Sequence, residues 1–254
     1  MMTSVRRNTA ISVAAFVALT ALALSLDAEQ AYASFIAGKV RGPHSVSDRL
    51  GQYAPAVASR LRSTFARAGL AYPPNELAYV SFKDTRVMEV YGRMSSTEPW
   101  RFVREYRVLA ASGRPGPKLA QGDGQVPEGL YQVENLNPNS LFHLSIRLNY
   151  PNEFDRRMAQ VEGRTRLGGD IMIHGNSVST GCLAVGDQAA EDLFVLTALV
   201  SKERVRILIS PTDFRRSSDA QLVEEPSWVQ SLYATLRTEL FQFRREANQV
   251  RAGF

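Results

Sequence analysis

Ile171-Met172-Ile173-His174-Gly175-Asn176-Ser177-Val178-Ser179-Thr180-Gly181-Cys182 is the stretch on which the rest of the chain turns. A short apolar strand delivers a histidine at its end. Eight residues later, past small and polar residues, comes a cysteine preceded by glycine, and it is the only cysteine in the chain. A thiol attacks as its thiolate, and a thiol pKa near about 8.5 leaves only a few per cent ionised at neutral pH. A neighbouring imidazole that takes the proton therefore matters. Gly181 lets the backbone approach a substrate closely, and its N–H, or that of Cys182, is a candidate donor to a developing oxyanion. The same spacing also suits an inert buried thiol, so the pair alone leaves both readings open.

Working outward, strand patterns dominate. Leu77–Phe82, a Lys83-Asp84-Thr85 turn and Arg86–Arg93 read as a hairpin, with Val80, Phe82, Val87 and Val90 alternating. Trp100–Ala111 alternates again, Gly129–Val133 returns to strand, and Val205–Ile209 is one more. In Leu141–Leu148, Leu141, His143, Ser145 and Arg147 fall on one face and Phe142, Leu144, Ile146 and Leu148 on the other. His143 on the polar face is either a cleft residue or a solvated one. Helical spacing appears in Ser45–Leu70, through Leu50, Tyr53, Val57, Leu61 and Phe65, with Ser45 or Ser47 as cap. It appears again from Asp187, read as an N-cap, to Val200, and in a C-terminal helix opened by Pro226 that carries Trp228, Leu232, Leu236 and Leu240. Ser112–Gly129 reads as a surface turn series in preference to a substrate loop, and Asn149–Gly169 as a polar connection. The fold class expected is mainly β with flanking helices, an α+β domain with a mostly antiparallel sheet.

The N-terminus differs from the rest. Arg6 and Arg7 precede an uncharged apolar run from Thr9 to Leu26, and Ala31-Tyr32-Ala33 supplies a small-x-small cleavage pattern. This is the layout of a secretory signal, with an uncleaved membrane anchor as the competing reading. Export makes an unpaired thiol unusual, because one cysteine cannot form an intramolecular disulfide. Apolar content of 44%, charged content of 22% and a net charge of +5 fit a folded, arginine-rich protein. No helix-turn-helix, zinc-finger or RNP pattern accompanies the charge, so no nucleic-acid partner is implied. His44, His143 and His174 lie far apart with no HExxH or CxxC spacing, and neither metal nor cofactor is expected.

His174-Gly175, a small-residue loop and Ser179-Thr180-Gly181-Cys182 resemble the active-site motif of the L,D-transpeptidases, the YkuD-type catalytic domain. Gly116-Pro117-Lys118, Gly122-Asp123, Pro127-Glu128-Gly129-Leu130-Tyr131, Asn137 to Ser145 and Asn149-Tyr150-Pro151-Asn152 are similar to the YafK-like branch, in the same order. The resemblance implies a β-rich domain, Cys182 as nucleophile, His174 as general base, Gly181 at the oxyanion position and Ser179 supporting the loop. Gly175 follows the base, and His143, with Ser145 and Arg147 on its strand face, is a candidate cleft residue. The implied substrates are peptidoglycan stem peptides, acylating Cys182 as a thioester before transfer to an amine or water, with a wall-linked lipoprotein as a further candidate partner.

Two departures bear on the acceptor. Thr180 stands where the common motif has a second histidine, and Leu183-Ala184-Val185 stands where an arginine is usual. The expected organisation is a signal peptide or anchor at 1–33, a helical segment at 34–76, a catalytic domain at 77–211, and a linker with an amphipathic helix at 212–254. The expected location is the periplasm or cell envelope. Three functions compete: a transpeptidase, a hydrolase of the same family, and a non-catalytic wall-binding module.

Overall fold

The computed structural model describes residues 43–216 and 226–245. The candidate signal segment at 1–33 and part of the charged linker lie outside them. The described residues from Ser45 onward form one compact unit.

Helix α1 (Val46–Arg67) begins where the sequence offers Ser45-x-x-Asp48. The Asp48 N–H donates to Ser45 Oγ at 3.1 Å, and the Ser45 N–H donates to Asp48 Oδ2 at 2.7 Å, a reciprocal capping box. Val57, Leu61 and Phe65, four residues apart, form its buried stripe.

Eight strands follow: β1 (Glu76–Phe82), β2 (Val87–Arg93), β3 (Arg101–Arg107), β4 (Gly129–Ser140), β5 (His143–Leu148), β6 (Met172–His174), β7 (Leu183–Ala184) and β8 (Val205–Ser210). Their order in the sheet is β3-β2-β1-β8-β4-β5-β6-β7. The β1–β8 and β6–β7 pairs are parallel and the rest antiparallel. Strand β4 joins two halves of the sheet. Its first residues pair with β8, and from Val133 onward it pairs with β5 across two register shifts. The chain leaving β3 then meets the far edge, where the Ala184 N–H donates to Ala110 O at 2.9 Å and the Leu109 N–H to Ala184 O at 2.7 Å. The sheet thus curves toward closure, and β7 is not left as an open edge.

One core lies between the sheet, α1 and helix α3 (Asp187–Val200), and includes Phe65, Tyr79, Ile146, Ile173, Leu183, Leu193 and Ile207. Tyr79 OH donates to Leu193 O at 3.0 Å, so its one polar atom is satisfied inside that core. A second core covers the other face. Helix α4 (Val229–Leu240) lays Leu232, Tyr233, Leu236 and Leu240 against Val80, Tyr91 and Leu208. Strand β1 is consequently buried on both faces: Leu77 and Tyr79 enter the first core, Ala78, Val80 and Phe82 the second.

Several elements depart from the sequence pattern. Strand β4 runs on to Ser140, and β5 starts at His143, leaving Leu141-Phe142 as the turn. The polar connection contains helix α2 (Glu153–Val161), capped by Asn152, whose side chain accepts the Asp155 N–H at 3.0 Å. Asp187 is not the N-cap of α3; Gly186 holds that place with φ 82°, and the Asp187 carboxylate turns back to accept the Asn176 N–H at 2.7 Å. The Ser112–Gly129 stretch is not a loose surface series either. Gly116, Pro117, Lys118, Val126, Pro127 and Glu128 are buried. Glu128 gathers the Gly116 N–H (2.7 Å), Lys83 Nζ (3.0 Å) and Tyr233 OH (2.7 Å), locking the loop to β1 and α4.

Candidate active site

His174 ends β6 and Cys182 immediately precedes β7. In the parallel register Ile173 pairs with Leu183 and His174 with Ala184. Ile173 and Leu183 point into the core. Side chains alternate along a strand, so His174 and Cys182 share the opposite face. Adjacent strands about 4.8 Å apart and a two-residue offset of about 6.6 Å place their Cα atoms roughly 8 Å apart, within reach of an imidazole and a thiol. Strand β5 extends this face. Ser145 pairs directly with His174, and Arg147 with Met172. The polar face expected of β5 is therefore the face of the site.

The imidazole is almost fully buried. Its Nδ1 lies 2.6 Å from Gly175 O. A carbonyl can only accept, so Nδ1 carries the proton. Burial lowers the His174 pKa, opposed by that backbone bond. The neutral ring thus keeps Nε2 as its basic nitrogen. Phe142 lies over the ring, with centroids 4.7 Å apart and planes inclined by 33°.

The thiol donates to Asp170 O at 3.4 Å rather than to His174. Burial pushes the Cys182 pKa up, helped by the charge of Asp170, while the backbone N–H of Met172 and the charge of Lys118 act in the other direction. The sulfur thus rests as a protonated thiol at neutral pH. Ser179 braces it: its Oγ accepts the Cys182 N–H at 3.0 Å and donates to Cys182 O at 2.7 Å. Gly181 holds φ 84°, a left-handed conformation natural only to glycine. Its N–H donates to Ser112 Oγ at 2.6 Å. The two N–H groups offered by sequence as oxyanion donors are therefore both engaged by serine hydroxyls in the resting site. Thr180 is exposed beside them.

Gly175 permits the close approach of three segments. A Cβ there would meet Asp187 Oδ1 at 2.5 Å, Phe142 O at 2.8 Å and His143 Cβ at 2.9 Å. His143 lies at this junction, with Nε2 3.1 Å from Glu191 Oε1. Arg147 Nη2 pairs with Asp170 Oδ1 at 3.0 Å, bordering the residue whose carbonyl accepts the thiol. Ser145 Oγ is buried without a hydrogen-bond partner in the structure. His143, Asp170 and Asn176 all hold positive φ, which concentrates backbone strain around this site. Ser112, Phe142, Asp170 and Glu191 escaped the sequence reading, since each acts through a backbone atom, a ring face or a contact distant in sequence.

A curved β-rich sheet that presents an imidazole and a thiol on one face defines a candidate cysteine acyl-transfer scaffold. Residues 77–207, about half of the chain, match the family model for the L,D-transpeptidase catalytic domain, YkuD, and the chain belongs to that family. It is 35% identical over 146 residues to the Escherichia coli K12 protein named "Putative L,D-transpeptidase YafK", covering 56% of this chain and 55% of that one. The Escherichia coli O157:H7 protein of the same name matches equally. The chain thus spans about half the length of the curated relatives it matches. Among solved structures it is similar to the helical cell shape determining protein Pgp2 of Campylobacter jejuni, at 18% identity over 68% of this chain and 72% of that chain, with a TM-score of 0.43. It is also similar to L,D-transpeptidase 1 of Mycobacterium tuberculosis, at 12% identity over 53% and 62%, with a TM-score of 0.31.

Proposed function

We propose that this protein is a cell-envelope cysteine enzyme that transfers acyl groups from peptidoglycan stem peptides through a thioester on Cys182. The observation that carries this is the common face of His174 and Cys182, with the Nδ1–H bond to Gly175 O leaving Nε2 basic. A rotation about the Cys182 side chain exchanges the Asp170 carbonyl for His174 Nε2, which takes the thiol proton. The thiolate attacks the peptide carbonyl and a C–S bond forms. The tetrahedral oxyanion collapses, the C–N bond breaks, and His174 returns the proton to the leaving amine. An amine or water then resolves the thioester. For Gly181 or Cys182 to donate to the oxyanion, Ser112 or Ser179 must release its N–H as substrate binds.

Arg147 and Ser145 line the substrate side of this face. His143, held by Glu191, stands at the turn beside them as a further cleft residue. Export through the 1–33 segment brings the enzyme to its substrate, and cell fractionation tests it: recovery in the cytosol rejects the envelope assignment.

Hydrolysis is the second reading, supported by Thr180 in place of the usual second histidine and by Leu183-Ala184-Val185 in place of the usual arginine. Incubation of the purified protein with lipoprotein-linked and free muropeptides separates the two. New crosslinked dimers or lipoprotein attachment identify a transpeptidase; release without new crosslinks identifies a hydrolase. No conversion of any kind by the wild type rejects both.

A further inference from the structure

Helix α1 lies outside the segment matched by the family model, yet it reaches the turn beside His174. Arg49 Nε donates to Pro138 O, near the end of β4, at 2.9 Å. Tyr53 meets the His143 ring edge-on, with centroids 5.4 Å apart. Arg60 donates to Glu191 Oε2 at 3.2 Å, and the other oxygen of Glu191 lies 3.1 Å from His143 Nε2. His143 is thereby wedged between α1 and α3 at φ 71°, a conformation that a histidine keeps only where its surroundings hold it. The preceding residue, Phe142, is 38% exposed and places one ring face on the His174 imidazole. Outside both core clusters, its contact with that imidazole accounts for its placement better than core packing does.

We propose that Phe142 is a positioning residue for His174, and that α1, acting through His143 and the end of β4, holds Phe142 in place. The proposal rests on His174 being the base for Cys182. The Nδ1–H bond fixes one edge of the imidazole. Phe142 blocks the swing that would break this bond and keeps water off one ring face. If the ring turns, the tautomer that leaves Nε2 basic is lost, and misplacement of a catalytic group by about 1 Å can cost up to roughly a hundredfold in rate. The other titratable groups around His174 are Cys182 on its face, His143 at the turn and Asp187 across Gly175.

The test uses the full chain and two readouts that need no substrate: NMR titration of the His174 imidazole, and the pH profile of Cys182 alkylation by iodoacetamide. Phe142→Ala is expected to move the His174 titration upward toward the ordinary value of about 6.5. It is also expected to slow alkylation at neutral pH about tenfold. Phe142→Tyr keeps the ring and should behave as wild type. His143→Asn tolerates the left-handed backbone but loses Glu191, and should reproduce part of the Phe142→Ala effect. Because Phe142 is partly exposed, Phe142→Ala and Phe142→Tyr should keep the wild-type melting temperature. If His174→Gln slows alkylation while Phe142→Ala leaves both readouts unchanged, the positioning role is overturned and the base assignment stands. If His174→Gln itself changes nothing, the base assignment fails and takes this proposal with it.

Discussion

At the scale of the residue, the site depends on what each partner does to the protonation of two side chains. Burial lowers the His174 pKa and raises that of Cys182. The imidazole is then neutral, and the thiol protonated, at neutral pH. Activity should be lost as pH falls through the His174 pKa, which places the acid limb of kcat/KM below the ordinary histidine value of about 6.5. An acid limb above that value would contradict the burial argument. His174→Gln should lower kcat by about a hundred- to ten-thousandfold, the usual contribution of a positioned general base, with the melting temperature as a control for folding. Gly175→Ala tests the close approach of the turn, Asp187 and His143. Its Cβ forces a shift costing about 1–3 kcal/mol, read as a lower melting temperature together with reduced thiol reactivity. The candidate pair His174 and Cys182 stands out in the sequence, because a strand ending in histidine and a lone Gly-Cys pair are local signals. Its surroundings do not. Ser112 reaches Gly181 across 69 positions, and Glu191 reaches His143 across 48. No local pattern encodes such contacts.

At the scale of the element, clean periodicity marks strands and helices in the sequence, and other physics hides the rest. The hairpin of β1 and β2, strand β8 and helix α3 follow their apolar spacing closely. Helix α2 was hidden by the polar composition of Glu153–Val161, in which Ala159 is the residue it buries. Its start was nonetheless written in Asn152-x-x-Asp155, a capping box of the same kind as Ser45-x-x-Asp48. Strand β7 is two residues long and exists only through its parallel partner β6 and the Ala110 bridge. The glycine- and proline-rich stretch before β4 looked like a surface loop because its anchors are few and distant. Lys83 and Glu128 form that anchor with side chains 4% and 0% exposed. Lys83→Met leaves the Glu128 carboxylate buried without its cation. It should destabilise the fold by about 3–5 kcal/mol in denaturant titration, whereas substitution of an exposed pair such as Arg157 and Glu153 should change little.

At the scale of the whole molecule, the helices at either end of the described chain belong to the two cores. Helix α1 contributes Val57, Leu61 and Phe65 to one, and α4 contributes Leu232, Leu236 and Leu240 to the other. Leu236→Ala should therefore cost about 2–5 kcal/mol, the range for a large apolar side chain truncated in a packed interior. Calorimetry should show that loss as one cooperative transition moved to lower temperature. A separate low-temperature transition for α4 would show instead that it docks independently. Among the described residues, no helix is long and apolar enough to cross a membrane.

Acylation of Cys182 is the step on which the proposed function stands. Wild-type protein mixed with a stem-peptide muropeptide, quenched in acid and weighed intact should show a covalent acyl adduct, mapped by peptide digestion to Cys182. Cys182→Ala should show neither adduct nor turnover. Turnover by Cys182→Ala, or an adduct mapped to another residue, would contradict the claim.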